Sequence, residues 1–353
     1  TVEIDNTSYV VDKIAPSVVF ANKAKITSLT IGEGVKEIGA NAFKSSSNLA
    51  SVSLPTTLTT IGDYAFNGNK LTELHLDSVK SIGAGAFGGI LITELRLDSV
   101  KTIGASAFQN CGSLKKVWLG SKLTSIGEKA FDGCKSITHV DSRSLSPSLG
   151  AGVYSLADGN TSVLFVPNGG TCNYNSLGFS NIIEGEYVGD KSDNDMTYSC
   201  YLVKDAKGDT ISHEAILTTA DRSIKSASIS DSISLAKDGS DELVYYYVTS
   251  IGKYAFKNCT ALAKLELPAH LTSIGYNAFA DCAGIKEIVS DVALKEMFSV
   301  ADVFSGDINE TALVYVPVGS KASYQAAAGW VDFKNYDECK LLQTEKPTNY
   351  LKY

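Results

Sequence analysis

The sequence predicts a repeat solenoid of the α/β class, in which short units of similar length stack along the chain. A six-residue pattern, Ile-Gly-x-x-Ala-Phe, occurs seven times, and consecutive phenylalanines are 21 or 23 residues apart within each of two runs. Such periods are typical of a strand followed by a return segment, repeated layer upon layer. A second apolar pattern precedes the copies at a nearly constant distance. The repeat phenylalanines are Phe43, Phe66, Phe87, Phe108 and Phe131 in the first run and Phe256 and Phe279 in the second.

The second pattern has the form Leu-x-x-Leu-x-Leu. Its last two apolar residues alternate with one outward residue, as expected for a short strand with one face on the core. The pattern resembles the core of leucine-rich repeats and so predicts a right-handed β-α superhelix, in which the Ile-Gly segment returns on the opposite side. Its copies begin at Ile26, Leu49, Leu71, Ile92, Leu114 and Leu262.

A longer repetition predicts two tandem arrays with a β-rich segment between them. Residues 161–169, with Tyr174, match residues 311–319, with Tyr324, at an offset of 150. A degenerate repeat ending at Tyr154 keeps the period before the first of these segments. The polar residues 189–195 are the best linker candidate. We therefore predict a first module at 1–188 with a C-terminal cap, and a second at 189–353 that comprises a β-rich opening (189–248), repeats (249–288) and a cap (289–353).

Charge and composition exclude two classes of partner. The net charge of −8 and pI near 5.1 repel phosphate backbones, so we expect no nucleic-acid partner. No run of 18 apolar residues is present, and we expect no membrane span in this segment. The chain begins at Thr1 without a hydrophobic leader, which we interpret as a mature or trimmed segment whose leader is absent.

Four of the seven cysteines occupy one position of the repeat, three residues after its phenylalanine. Ser46, Asn69 and Ile90 hold this position in other copies, so we interpret it as a buried packing site with free thiols. Oxidation within a pair of neighbouring layers, Cys111 with Cys134 or Cys259 with Cys282, stays open.

No motif in the sequence predicts catalysis, a cofactor or a metal. Gly83-Ala-Gly-Ala-Phe-Gly88 matches a dinucleotide fingerprint literally, but it is one copy of the repeat, whose siblings lack its central glycine. His213-Glu214 lacks the second histidine of a zinc-protease motif. We therefore expect a non-enzymatic protein without cofactors.

The outward strand positions are the best candidates for a binding site. They form a ladder from layer to layer, and an exposed Trp beside an Arg is a combination enriched at interface hot spots. The alternative, ordinary exposed strand residues, stays open. The ladder reads Thr30, Ser53, His75, Arg96, Trp118 and Asp141; the candidate ligand-binding residues are His75, Arg96 and Trp118, flanked by Glu73, Glu94 and Lys116.

The combined repeat, with cysteine three residues after its phenylalanine, resembles the BspA-type leucine-rich repeat over residues 24–186 and 244–342. The Val-Pro-x-Gly turn with its following Tyr also resembles terminal segments of that family. The resemblance implies a secreted or surface-displayed protein of a host-associated bacterium, extracellular or on the cell surface, that adheres to proteins or glycans of a host or neighbouring cell. It brings no catalytic residues. A structural spacer, or a carbohydrate-binding module that uses Tyr245–Tyr247, are the alternatives.

Overall fold

The chain divides into two compact units, Thr1–Glu186 and Tyr187–Tyr353, each with its own apolar core. The structure is a computed structural model that describes residues 2–4, 7–9, 13–16, 25–156, 160–205, 207–237, 240–292, 300 and 302–339. The first unit is the longer repeat array.

Strands of only two to four residues build the first unit. They are β1 (Val2–Ile4), β2 (Thr7–Tyr9), β3 (Lys13–Ile14), β4 (Ser28–Thr30), β5 (Glu37–Ile38), β6 (Ser51–Ser53), β7 (Thr60–Ile61), β8 (Ser81–Ile82), β9 (Glu94–Leu97), β10 (Thr102–Ile103), β11 (Lys116–Leu119), β12 (Ser125–Ile126), β13 (His139–Ser142), β14 (Ser148–Leu149), β15 (Val163–Val166) and β16 (Asn181–Glu184).

The repeat strands of the first unit lie in parallel sheets on two opposite sides of the core. On one side, strands from Leu-x-x-Leu-x-Leu segments and from the cap that follows them form a sheet of order β16-β15-β13-β11-β9, and β4 and β6 form a separate pair. The Thr/Ser-Ile steps before each glycine form a return sheet of order β14-β12-β10-β8-β7-β5-β3. The predicted repeat solenoid is therefore confirmed.

The repeat phenylalanines form a column inside this solenoid. Phe43 and Phe66 stack with their ring centroids 5.2 Å apart, and the next three steps of the column are each 5.4 Å. Tyr154 continues the column at 5.0 Å from Phe131, as the degenerate repeat predicts. All five phenylalanines are at most 1 % exposed. Each layer thus buries one ring against the next, which binds the array together.

The helical part of the predicted superhelix differs from the structure. The return segments contain turns and two-residue strands, because the fourth residue of each Ile-Gly-x-x-Ala-Phe has a positive φ, for example 57° at Asn41 and 54° at Ser106. A residue in that conformation interrupts a right-handed helix. The α-helices among the described residues are short: α1 (Thr171–Tyr174), α2 (Ile308–Thr311) and α3 (Lys321–Ala326).

The predicted cysteine column is confirmed as buried, and the structure has its thiols free. The position also has a hydrogen-bonding role that the sequence did not reveal. The Sγ of Cys134 donates to the carbonyl of Phe108 at 3.1 Å, and Cys282 donates to Phe256 at 3.0 Å. Asn69 makes the same bond to the preceding repeat phenylalanine through its side-chain amide. The position therefore accepts side chains that bond this carbonyl, and Ile90 shows that it also accepts an apolar side chain.

A buried tyrosine closes each array. Tyr174 shares a 2.7 Å hydrogen bond with the hydroxyl of Ser142 and donates to the carbonyl of Ser144. Tyr324 is bonded in the same way to Ser290, at 2.8 Å. These matched pairs agree with the repetition in the sequence.

Longer strands open the second unit. They and the repeat strands that follow are β17 (Glu186–Asp193), β18 (Met196–Lys204), β19 (Thr210–Ala220), β20 (Ser226–Ser228), β21 (Ser232–Ala236), β22 (Leu243–Ile251), β23 (Lys264–Leu267), β24 (Ser273–Ile274), β25 (Glu287–Ser290), β26 (Leu313–Pro317) and β27 (Asn335–Cys339).

The second unit also has two sheets. One is mixed, with the order β17-β18-β19-β22-β21 and with β24 beside β22; the other has the order β20-β23-β25-β26-β27. The polar segment predicted as a linker is part of the first sheet. Gly189 lies within β17, and Asn194 and Asp195, with φ of 48° and 62°, form the turn to β18. Two consecutive positive φ angles are the geometry of a tight hairpin turn, which Asn and Asp tolerate, so polarity here marks a turn rather than a flexible connection.

Candidate recognition surface

Strands β9 and β11 carry the centre of the predicted ladder. Their side chains alternate between buried leucine or valine and outward polar or aromatic residues. The two strands pair in parallel, so that Lys116 lies opposite Glu94 and Trp118 opposite Arg96. The structure therefore brings these four predicted site residues together on one side of the sheet, which we call the strand face.

Arg96 and Trp118 interact directly on this face. The guanidinium carbon of Arg96 lies 4.0 Å from the ring centroid of Trp118, which is a cation–π contact. Arg96 is exposed and Trp118 is partly exposed. The contact orders two large side chains that remain accessible, and it leaves part of the indole available to a partner.

The sheet is interrupted on the N-terminal side of β9. Within the part of the chain that the structure describes, residues 72–76 make no backbone hydrogen bond to either neighbouring layer, although their sequence repeats that of β9. β6 and β9 consequently belong to different sheets. The next layers pair normally on the return side, where β7 pairs with β8. The interruption is therefore confined to the strand side.

A groove of about 400 Å³ lies at this interruption. We call it the strand-face groove. Leu74 and Leu76 contribute to it, and its other lining residues are polar or charged: Thr72, Glu73, His75, Asp77, Thr93, Glu94 and Arg96. Four of the six predicted site residues line the groove, and Lys116 and Trp118 lie on the strand beside it. Sequence reasoning missed Asp77, Thr72 and Thr93; the signal that could have found them is the repetition of Thr-Glu-Leu-x-Leu-Asp-Ser-Val in two consecutive copies.

The exposure of Asp141 differs from what the ladder predicts. It lies in register with Trp118, as expected, but it is only 4 % exposed. Its Oδ2 lies 3.6 Å from Nε of Arg143, whose Nη2 is 3.6 Å from a carboxylate oxygen of Glu186. Alternation along a strand reports which side of the sheet a residue faces, and at β13 that side is buried. Asp141 is therefore not part of an exposed surface.

Burial also changes the acidity of Asp141. Loss of hydration raises the pKa of this carboxyl to about 6, and the Arg143 cation only partly opposes the change. The neighbouring carboxylate of Glu186 raises the pKa further. The ionised form of Asp141 is therefore destabilised by its burial beside the strand face.

Other candidate chemistry is sparse in the residues that the structure describes. No group of three or more His, Cys, Asp or Glu side chains among them is placed to hold a metal ion. No described helix has the length and apolar character to cross a membrane. Of the tyrosine run, Tyr246 is buried and Tyr245 is 46 % exposed, as strand alternation predicts. The strand face and its groove are the strongest candidate site.

The comparisons with known proteins agree with the repeat pattern. The family model of the BspA type leucine-rich repeat region matches six copies, at residues 13–138 and 244–306, which together cover more than half of the chain. Among the proteins of curated function, none matches.

Three solved structures are similar at low identity. The leucine-rich repeat protein TpLRR of T. pallidum is 24 % identical, covers 51 % of this chain and 81 % of its own, and has a TM-score of 0.40. A leucine-rich cell surface protein of Faecalibacterium prausnitzii is 20 % identical, with coverages of 97 % and 87 % and a TM-score of 0.38. A leucine-rich repeat protein of Bacteroides ovatus is 18 % identical, with coverages of 96 % and 90 % and a TM-score of 0.29. The family match, together with the repeat geometry described above, shows that the chain belongs to the family of proteins with a BspA-type leucine-rich repeat region.

Proposed function

We propose that this chain is a non-enzymatic recognition or adhesion protein that acts outside the cell or on its surface. Its ligand is a macromolecule, which it binds through the strand face. The observation that carries the proposal is the Arg96–Trp118 pair, a cation and a large aromatic ring held together on an accessible sheet. Trp and Arg are the residue types most enriched among interface hot spots.

The repeat architecture supports this use. The core positions of each layer are fixed by stacking, whereas outward positions can differ without disturbing their neighbours. His75, Arg96 and Trp118 occupy equivalent outward positions in three consecutive layers and are three different residue types. A surface that differs from layer to layer suits selective binding, whereas a structural spacer would not need such differences.

The expected partners are extracellular proteins or glycans of a host or neighbouring cell, and the family to which the chain belongs motivates this location. We further propose that residues 1–188 and 189–353 are tandem modules of related design. The equivalent bonds of Tyr174 to Ser142 and of Tyr324 to Ser290 support that organisation.

The test is capture by the immobilised chain of purified extracellular-matrix proteins and of an arrayed set of glycans. We expect Arg96→Ala/Trp118→Ala to abolish capture while the chain stays folded, with its unfolding temperature lowered by no more than about 4 °C through loss of the cation–π contact. The control is Lys257→Ala/Tyr276→Ala, which removes a cation and a half-exposed aromatic ring that both contact Tyr254 in the second unit. Unchanged capture by the first variant would contradict a strand-face site, and absence of any capture by the unaltered chain would favour a structural spacer.

A further inference from the structure

The strand-face groove is a place where two acidic layers meet. The segments Thr72–Val79 and Thr93–Val100 differ only at His75 and Arg96, so Glu73 and Glu94 hold the same repeat position in consecutive layers, and both line the groove. Asp77 and Asp98 likewise share one repeat position. Like charges directly opposite each other on neighbouring strands are destabilising. The strand pairing is absent at this step of the array, between residues 72–76 and β9.

Acidic side chains outnumber basic ones in the lining of the groove, with Glu73, Asp77 and Glu94 against Arg96. In the described ranges, no Lys or Arg lies within 4.0 Å of the carboxylates of Glu73, Asp77 or Glu94. Arg96 has its guanidinium over the Trp118 ring, and Lys116 lies opposite Glu94 on β11. The groove therefore combines a negatively charged lining with a volume of about 400 Å³.

Backbone groups without partners in the neighbouring layers are a second, independent feature of the strand-face groove. The peptide groups of residues 72–76 have no partner in the neighbouring layers, and β9 is the edge of its sheet. Backbone N–H and C=O groups need partners, and here solvent or a ligand must supply them. An extended peptide offers such groups at regular intervals, together with side chains that point to one side.

We propose that the strand-face groove binds a basic, extended segment of a protein partner, with a Lys or Arg side chain between Glu73 and Glu94. This inference rests on the proposed recognition function and narrows its partner class. A phosphate-rich ligand would be repelled by these carboxylates. The described residues here do not form a metal site. Arg96 and Trp118 then border the groove and contact the flanking part of the same segment.

The experiment uses the full chain and a fluorescent peptide of alternating Arg and Ser, with a Glu-for-Arg peptide as the negative probe. Binding is followed by anisotropy at near-physiological salt. We expect Glu73→Gln/Glu94→Gln to weaken binding by about tenfold or more, since both charges face the ligand at short range. The control variant, Glu128→Gln/Glu242→Gln, changes net charge equally at two exposed sites and should weaken binding by less than about twofold.

The outcomes separate this inference from the proposed function. Equal weakening by both variants would show that only the overall negative charge attracts the peptide, and would overturn the groove. Capture of a natural partner that depends on Arg96 and Trp118 but not on Glu73 and Glu94 would overturn the inference and leave the proposed function intact. The groove variant should also melt at a higher temperature than the unaltered chain, since it removes like-charge repulsion; a lower melting temperature would contradict the charge argument.

Discussion

The guanidinium of Arg96 stacks on the indole of Trp118, 4.0 Å from its centroid, across the paired strands β9 and β11. The pair joins one layer of the solenoid to the next on its outer surface. We expect the pair to be a modest stabilising contact and propose it as the centre of a recognition surface. The two roles are separable by experiment.

A double-mutant cycle measures the first role. We expect a coupling free energy of about 0.5–1 kcal/mol between Arg96→Ala and Trp118→Ala, which is the range for cation–π pairs at accessible sites. Chemical denaturation followed by circular dichroism gives the four stabilities. A coupling near zero would indicate that the stacked arrangement is not populated in solution.

The glycine that follows each repeat isoleucine is expected to be intolerant of substitution. A Cβ on Gly104 would lie 2.5 Å from the backbone nitrogen of Ala84 in the preceding layer, so Gly104→Ala must displace backbone atoms. We expect a loss of about 1–3 kcal/mol or more in unfolding free energy. Gly112→Ala is the control, because nothing lies within 4 Å of its added Cβ. Equal effects of the two substitutions would contradict the close layer contact.

The raised pKa of Asp141 predicts that the stability of the chain depends on pH. Its pKa is about 6 in the folded chain and 3.8 in the absence of burial, so the folded state binds the proton more tightly. Stability is therefore expected to fall as pH rises from 4 to 6, by up to about 3 kcal/mol from this group. Asp141→Asn should flatten this slope and stabilise the chain at pH 7.5, because Arg143 is half exposed and tolerates loss of its partner.

Trp118 fluorescence in a Trp330→Phe background reports this transition, since the chain has two tryptophans and only Trp118 lies in the first unit. Glu128→Gln, at an exposed carboxylate of the first unit, serves as the control for loss of one carboxylate. A variant at position 141 that keeps the slope of the unaltered chain would assign the dependence to another group.

The cap tyrosines should contribute similarly in both units. Tyr174→Phe removes the hydroxyl that bonds Ser142 and Ser144, and Tyr324→Phe removes its counterpart at Ser290. Each change leaves buried polar groups without a partner, and we expect a cost of about 1–3 kcal/mol. Tyr276→Phe, at a half-exposed side chain, should cost little. Denaturation curves of the three variants test this, and a cap variant as stable as the exposed one would contradict it.

Much of the scaffold could be predicted from the sequence because stacked layers repeat the same residue types at a regular interval. The phenylalanine column, the buried cysteines and the outward positions of Arg96 and Trp118 all follow from spacing alone. The two-residue return strands could not be predicted in this way. The residues of Ile-Gly-x-x-Ala-Phe reveal the period of the repeat, but they do not reveal the positive φ at Asn41 and its equivalents. The period identifies the layer, and backbone geometry within the layer needs coordinates.

The features that depend on neighbouring layers were the hardest to predict. The sequence marks Asp141 as outward, yet its exposure depends on what covers β13. The interruption at residues 72–76 is also a property of layers in contact, since the same residues read as a normal repeat. The groove, which holds four of the six predicted site residues, could therefore not be foreseen from any one copy.

Hydrogen–deuterium exchange with and without a captured partner distinguishes recognition through the strand face from binding elsewhere on the chain. The amides of residues 72–76 have no partner in neighbouring layers and should exchange quickly in the unbound chain. We expect partner binding to slow exchange in these residues and in β9 and β11, while the return strands β7, β8 and β10 stay unchanged. Protection confined to the return strands, or to the second unit, would contradict recognition through the strand face.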